Sequence, residues 1–171
     1  MKRNITKAAA VIAATLLIAY VAGWRIKIEP TASVNDEELQ ITASIHATLI
    51  DLYFASRGMP LAGYGKEMVE AAETNGIDWR LLPAIAVRES SGGLQACGAN
   101  VFGWASCKRT FKTIEEGIQT VARHLGGNAT STATYYRGKI TRQILEAYNP
   151  PSIVPDYARQ VEAIMDAIAP R

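Results

Sequence analysis

Glu89 is the residue whose type and position most clearly suggest chemistry in this chain. It closes a helical pattern in which residues 82–87 are all apolar, and the small residues 90–93 follow it. A carboxyl group whose surroundings disfavour its charged form stays protonated near neutral pH and can deliver that proton to a leaving group. Most helical glutamates are solvated surface residues, but the last turn of a helix disfavours carboxylates. We therefore interpret Glu89 as a candidate general acid with open space beside it.

Helices must position this acid, and the spacing of apolar residues predicts six of them. Asn35 and Asp78 suit helix caps, Asn75-Gly76 gives a left-handed stop signal, and Pro155 suits a first helical position. The helices are predicted at residues 35–58, 64–74, 79–90, 113–125, 140–147 and 155–168. Residues 92–110 contain four glycines and no helical period, which predicts an irregular loop or short hairpin after the acid. The predicted fold class is mainly α.

The first 24 residues differ from the rest of the chain. Lys2, Arg3 and Lys7 precede an uncharged run of 17 residues, which is at the lower end of the roughly 17 to 25 residues that span a bilayer. We expect a hydrophobic helix that anchors the protein in the cell membrane, with the remaining chain outside the cytoplasm. The alternative is a secreted protein whose signal is cleaved near residues 21–23. Residues 25–34 are predicted to be an extended linker, because Pro30 restricts its neighbours, and residues 35–171 are predicted to form the folded domain.

Size and charge restrict the functional classes. The 171 residues suffice for one globular domain with a core. The net charge is +2, and lysine and arginine are scattered along the sequence, so no nucleic-acid-binding surface is predicted. A mildly basic chain would suit an anionic wall polymer. We expect a monomer with no nucleic-acid partner.

Two cysteines, Cys97 and Cys107, lie on either side of a glycine-containing stretch just after the candidate acid. In an oxidising compartment they could form a disulfide that closes a short loop. The alternative is a pair of reduced, partly buried thiols, because spacing alone does not establish a bonding geometry. Two thiols without a nearby histidine fall short of the four ligands of a structural zinc site. We expect no metal and no cofactor.

An ordered set of motifs carries a family resemblance across roughly residues 60–168. The set consists of Glu89-Ser90-Ser91-Gly92, Asn100-Val101-Phe102-Gly103-Trp104, Phe111 before Glu115-Glu116-Gly117-Ile118, and Tyr135-Tyr136. It resembles the bacterial glucosaminidase family (mannosyl-glycoprotein endo-β-N-acetylglucosaminidase-like domain) of the lysozyme-like superfamily. Ala147-Tyr148-Asn149-Pro150, followed by Tyr157, is similar to the tyrosine-asparagine motif of soluble lytic transglycosylases in the same superfamily. The glycine-leucine-methionine-glutamine element of the transglycosylases is absent after the acid, so the relation is closer to the glucosaminidases.

The resemblance implies a lysozyme-like helical domain that cuts the β-1,4-linked glycan of peptidoglycan. It implies that Glu89 is the general acid and that Tyr148 faces this carboxyl group, where it helps to hold the sugar or the acid. It also implies a glycan cleft in which Asn100, Phe102 and Gly103 form a wall. The further substrate-binding candidates carried by these motifs are Ser90, Tyr135 and Asn149.

A second catalytic carboxylate, which most glycosidases use, is not evident in the sequence. Glu115, Glu116 and Asp156 lie at predicted helix starts, where capping and the helix dipole already explain them. Within the superfamily, the substrate's own N-acetyl group can replace the second carboxylate, and the outcome is either hydrolysis or a 1,6-anhydro product. The sequence leaves open an endo-β-N-acetylglucosaminidase-like hydrolase, a lytic transglycosylase, and a noncatalytic glycan-binding wall protein.

Overall fold

The computed structural model describes residues 34–170, and the residues from Glu38 onward form one compact unit. Seven helices lie in this described range: α1 Val34–Ala55, α2 Gly65–Asn75, α3 Leu81–Ser90, α4 Ile114–Leu125, α5 Ala133–Tyr136, α6 Thr141–Tyr148 and α7 Tyr157–Ile168. Within it no strand forms, and a single isolated backbone bridge pairs Cys97 with Asn100. The prediction of a mainly α fold with an irregular segment after α3 is confirmed.

Local signals account for some of the helix ends. Gly76 adopts the left-handed conformation that stops α2, and Asp78 accepts a hydrogen bond from the backbone N–H of Arg80 just before α3. Thr113 caps α4 by accepting from the N–H of Glu116. The predicted segments at residues 1–24 and 25–33 lie outside the described range, and residue 34, assigned to the linker, begins α1.

Two helix predictions need correction. The last helix was predicted to start at Pro155, but α7 starts at Tyr157 because Asp156 has a φ of +66°, which no α-helical residue adopts. The short helix α5 was not predicted, since its four residues are too few to show a period.

The apolar residues whose spacing predicts α1 are mostly not the residues that anchor it. Ile41, Ile45 and Leu52 are more than half exposed, whereas Ile50 and Phe54 are completely buried. The helical spacing is confirmed, but it does not show which face of α1 is packed.

The helix that carries the candidate acid lies in the core. The α3 residues Leu81, Leu82, Ala84, Ile85 and Ala86 have no exposed surface, as expected for a helix that is apolar on most faces. α3 packs against α7 and α2, and α7 also packs against α6. The C-terminal end of α3 meets the start of α7, because the hydroxyl of Tyr157 bonds to the carboxyl group of Glu89. No helix within residues 34–170 combines the length and the hydropathy needed to cross a bilayer.

Candidate active site

Glu89 lies in the last turn of α3, half-buried, and the chain reverses directly after it. Ser91 has a φ of +53° and ends the helix. The buried hydroxyl of Ser90 lies 2.7 Å from the carbonyl oxygen of Val101 and accepts a hydrogen bond from the N–H of Gly93. Ser90 is predicted to bind substrate, but its buried hydroxyl instead bonds to the loop that follows and holds this loop against α3.

Asn100 organises that loop. Its side-chain amide donates to the carbonyl oxygens of Trp104 at 3.0 Å and Arg109 at 2.8 Å, and its Oδ1 accepts from the N–H of Trp104 at 2.9 Å. The residue is 1% exposed, so its amide has no surface to offer a ligand. The predicted role of Asn100 in the cleft is thus indirect, because it shapes a wall that other residues form.

A disulfide joins Cys97 to Cys107, with their Cα atoms 6.0 Å apart. It closes the segment that contains Gly103 and Trp104. Ala105, Ser106 and Cys107 have φ values of +55°, +54° and +60°, a left-handed conformation that costs L-residues roughly 1–2 kcal/mol each. The cross-link and the contacts of Asn100 hold this conformation.

Gly103 brings the loop against the candidate acid. A Cβ atom at this position would lie 3.0 Å from Oε2 of Glu89, and the backbone φ is +61°. Both the close approach and the left-handed conformation favour glycine at this position. The Oε2 atom therefore faces the loop, and the absence of a side chain leaves room beside it.

Tyr157, at the first position of α7, donates a hydrogen bond from its hydroxyl to Oε1 of Glu89 at 2.7 Å. Burial raises the pKa of Tyr157 far above its usual value, and Tyr148 and the Glu89 carboxyl raise it further. The hydroxyl therefore keeps its proton and acts as a permanent donor to the carboxyl group. One carboxyl oxygen is held in place, and the other remains available.

Tyr148 lines the same cleft as Glu89, but its hydroxyl bonds to the loop and not to the carboxyl group. Its hydroxyl donates to the carbonyl oxygen of Phe102, and its ring stacks on that of Tyr157, with centroids 5.9 Å apart and planes 12° apart. Burial raises its pKa well above the usual tyrosine value, with a further contribution from Glu89. Tyr148 thus ties the loop to α6, while Tyr157 makes the direct contact with the acid.

Together these elements enclose a cleft of about 560 Å³, which we call the Glu89 cleft. It is lined by Glu89, Gly103, Trp104, Ala105, Ser106, Tyr136, Tyr148, Asn149, Pro150, Ile153 and Val154. Among these lining residues, Glu89 carries the only carboxyl group. Ligand clefts commonly have this size, with apolar and aromatic walls and few polar groups.

The predicted site residues fall into three groups. Those that line the cleft are Glu89, Gly103, Tyr148 and Asn149. Those buried behind its wall are Ser90, Asn100 and Phe102. Tyr135 alone forms the third group, because it is 60% exposed and lies outside the cleft lining. Its neighbour Tyr136 lines the cleft instead, because consecutive residues of α5 point to different sides of the helix.

Trp104 and Tyr136 belong to the motifs that carry the resemblance, where stacking on a sugar and packing in the core are equally expected of their rings, and Tyr157 follows the tyrosine-asparagine motif without a predicted role of its own. Trp104 directly follows Gly103, so its position in the loop motif was the available signal. Its ring contacts His124 at 4.9 Å and Tyr148 at 5.7 Å between centroids. Nothing in the sequence indicates that Tyr157 reaches Glu89, because this contact depends on how α7 packs on α3.

Within the described residues, no group of three histidine, cysteine, aspartate or glutamate side chains could hold a metal ion. No protein-family model, curated protein or solved structure matches this chain. The functional argument therefore rests on the residues and their geometry.

Proposed function

We propose that this protein cleaves β-1,4 glycosidic bonds in the glycan strands of peptidoglycan, as an endo-β-N-acetylglucosaminidase-like hydrolase of lysozyme-like fold. The observation that carries the proposal is the setting of Glu89. A half-buried carboxyl group opens into a cleft, one of its oxygens is held by a tyrosine hydroxyl, and the cleft lining contains no other carboxyl group.

The two carboxyl oxygens of Glu89 have different surroundings, which suggests their roles. Oε1 accepts the hydrogen bond from Tyr157, so the transferable proton belongs on Oε2, next to the open space at Gly103. In the first step, Oε2 gives its proton to the glycosidic oxygen as the bond from this oxygen to the sugar C1 breaks. As the carboxyl group becomes charged, the Tyr157 hydroxyl stabilises it.

A single carboxyl group fits a reaction in which the substrate itself supplies the nucleophile that a second carboxylate would otherwise provide. The N-acetyl oxygen of the sugar attacks C1 and forms a cyclic intermediate while the leaving sugar departs with the proton. Glu89, now a carboxylate, then removes a proton from water as the water oxygen bonds to C1. The cyclic intermediate opens, a new reducing end forms, and Glu89 is protonated again.

The remaining cleft residues suit a chain of amino sugars. Trp104 is partly exposed and presents aromatic surface on which a sugar ring can stack, and the rings of Tyr136, which is buried, and Tyr148, which is partly buried, complete the wall beside it. Asn149 and Ser106 add an amide and a hydroxyl that can bond to sugar oxygens and acetamido groups. This combination orients a neutral, hydroxyl-rich polymer without requiring a charged clamp.

The test compares full-length wild-type protein with Glu89→Gln on purified peptidoglycan, by zymography and by release of soluble fragments. The amide keeps the shape of the side chain but has no carboxyl proton to donate. Glu73→Gln, an exposed residue of α2 outside the cleft lining, is the matched control. We expect Glu73→Gln to clear the gel like the wild type and Glu89→Gln to clear nothing. Equal clearing by Glu89→Gln would exclude Glu89 as the acid.

A second candidate is lytic transglycosylation, and one observation favours it. Tyr148 and Asn149, which carry the resemblance to the transglycosylase motif, both line the Glu89 cleft. In this reaction the 6-hydroxyl of the muramic sugar attacks C1 in place of water, and Glu89 removes the hydroxyl proton. The product is a 1,6-anhydro sugar, lighter by one water than the hydrolysis product, so its mass distinguishes the two reactions. A noncatalytic wall-binding protein would sediment with peptidoglycan and release no fragments.

We further propose that residues 1–24 hold the protein in the cell membrane and that the catalytic unit faces the cell wall. The run of 17 uncharged residues after a basic start supports this arrangement. Protease added to intact spheroplasts should digest the unit, and full protection of the chain would refute it.

A further inference from the structure

Ile153 is an exposed apolar side chain in the lining of the Glu89 cleft. Its exposed fraction is 72%, although it shares this lining with the candidate acid. The other strongly exposed apolar side chains of residues 34–170, Ile140 among them, lie outside the lining. A single exposed apolar residue on an open surface is ordinary. The position of Ile153 in a ligand-sized cleft is therefore the feature that needs a physical reason.

The backbone holds Ile153 in this position. The carbonyl oxygen of Pro150 accepts from the N–H groups of Ile153 at 2.8 Å and Val154 at 3.0 Å. Proline rings at 150, 151 and 155 lock the φ angles on both sides of this turn. Val154 packs against the core, and its carbonyl oxygen accepts from the N–H of Tyr157 at 3.3 Å. The turn between α6 and α7 is therefore restrained, while the side chain of Ile153 stays in solvent.

An apolar side chain that is already held in an open cleft gains free energy when a ligand covers it, because apolar area then leaves water. The rings of a β-1,4-linked gluco-configured chain carry their hydroxyl groups around the ring edge, so their two faces consist of C–H groups. A side chain that projects into solvent cannot enclose a small methyl group. It can lie flat against the face of a sugar ring.

Taking the proposed function as its basis, we infer that Ile153 is a substrate-binding residue that packs against the C–H face of a sugar ring in the glycan chain. Trp104, which is partly exposed in the same lining, supplies a second surface for the chain. Ile153 has no group that responds to the charge developing at Glu89. Its contact therefore stabilises the bound substrate and the transition state equally, and contributes to affinity only.

The experiment is a calorimetric titration of full-length Glu89→Gln, which cannot consume the ligand, with a soluble β-1,4-linked oligomer of N-acetylglucosamine. Ile153→Ser is added in the same background. Ile140→Ser is the matched control, because Ile140 is 68% exposed and lies outside the cleft lining. We expect Ile153→Ser to bind about five- to tenfold more weakly, the order expected when one or two methyl groups lose their cover. The heat-capacity change of binding should also become less negative, and Ile140→Ser should match the parent.

Unchanged affinity in Ile153→Ser, or an equal loss in Ile140→Ser, would overturn the inference. A β-1,4-linked oligomer of glucose, which has the same ring faces and no acetamido group, tests which part of the sugar is contacted. Ile153→Ser should weaken its binding by the same factor. A loss confined to the N-acetylglucosamine oligomer would place the contact at the acetamido methyl group and contradict packing on a ring face.

Cleavage assays with Glu89 intact separate this inference from the proposed function. Ile153→Ser should raise KM for solubilised glycan strands by the same factor and leave kcat near the wild-type value. A fall in kcat at constant KM would contradict a role in affinity alone. If the wild type cuts no strand, the proposed function fails, while the calorimetric comparison still decides whether Ile153 binds a sugar.

Discussion

Replacing Tyr157 with phenylalanine removes the one hydroxyl that donates to Glu89. The ring is 2% exposed and stacks on Tyr148, and phenylalanine keeps both the packing and the stacking. The change therefore deletes a hydrogen bond of 2.7 Å to Oε1 and little else. Tyr157 is absent from the cleft lining, so substrate loses no direct contact.

The size of the effect follows from when the hydrogen bond matters. In the proposed reaction Glu89 gives up its proton during the step that breaks the glycosidic bond, so the Tyr157 hydroxyl stabilises the transition state of that step more than the acid that enters it. A hydrogen bond to a charged group contributes about 1.5–3 kcal/mol, which corresponds to a roughly ten- to hundredfold loss of rate. We expect kcat to fall by this factor and KM to stay nearly constant.

The test measures the rate at which the enzyme releases fragments from solubilised glycan strands. Thermal unfolding checks that the variant is folded. Tyr135→Phe is the matched control, because it removes a hydroxyl from an exposed ring outside the cleft. It should match the wild type in both constants. A wild-type kcat in well-folded Tyr157→Phe, or a change confined to KM, would refute the positioning role of Tyr157.

Three further predictions test the loop and the buried tyrosines. Gly103→Ala should reduce kcat at least tenfold, because the added Cβ would lie against the Glu89 carboxyl group. The control is Gly58→Ala, because Gly58 has nearly the same positive φ and open space around it. This control should lower the free energy of unfolding by only about 1 kcal/mol. Thiol reductant should lower the unfolding midpoint of the wild type but not of Cys97→Ser/Cys107→Ser, because the disulfide contributes up to about 3 kcal/mol to the free energy of unfolding. If the reductant lowers both midpoints equally, the disulfide does not stabilise the fold. Burial raises the pKa of Tyr136 to about 12, so between pH 10 and this value the unfolded chain loses a proton that the folded chain keeps. The free energy of unfolding then falls by up to about 1.4 kcal/mol per pH unit, and urea titrations of Tyr136→Phe should show a shallower decline.

The helices could be predicted because their signals are local. Gly76 and Thr113 act on neighbouring backbone groups and have the capping roles that their residue types predict, whereas Asp78 bonds to the backbone of Arg80, which itself holds the N-cap position of α3. The packed face of α1 could not be predicted in this way. Spacing shows which residues share a face, but which face is buried depends on the helices that pack against it.

In the candidate site, too, features with local signals could be predicted and contacts between distant segments could not. Glu89 could be identified because chain position alone puts it at the end of an apolar helix, and Gly103 was assigned to the cleft through the family resemblance of the loop motif. The choice between Tyr148 and Tyr157 as the partner of the acid could not be made, because both tyrosines come from distant segments and their roles depend on how α6 and α7 meet α3. Asn100 and Phe102 resemble cleft residues in sequence, but they shape the wall from behind it.

The mass of the fragments released from purified peptidoglycan tests the central claim most directly. Wild-type protein should release soluble fragments with new glycan ends, either reducing sugars or 1,6-anhydro sugars, and Glu89→Gln should release none. The same fragments from Glu89→Gln at the wild-type rate, or no new glycan ends from the wild type, would contradict the account.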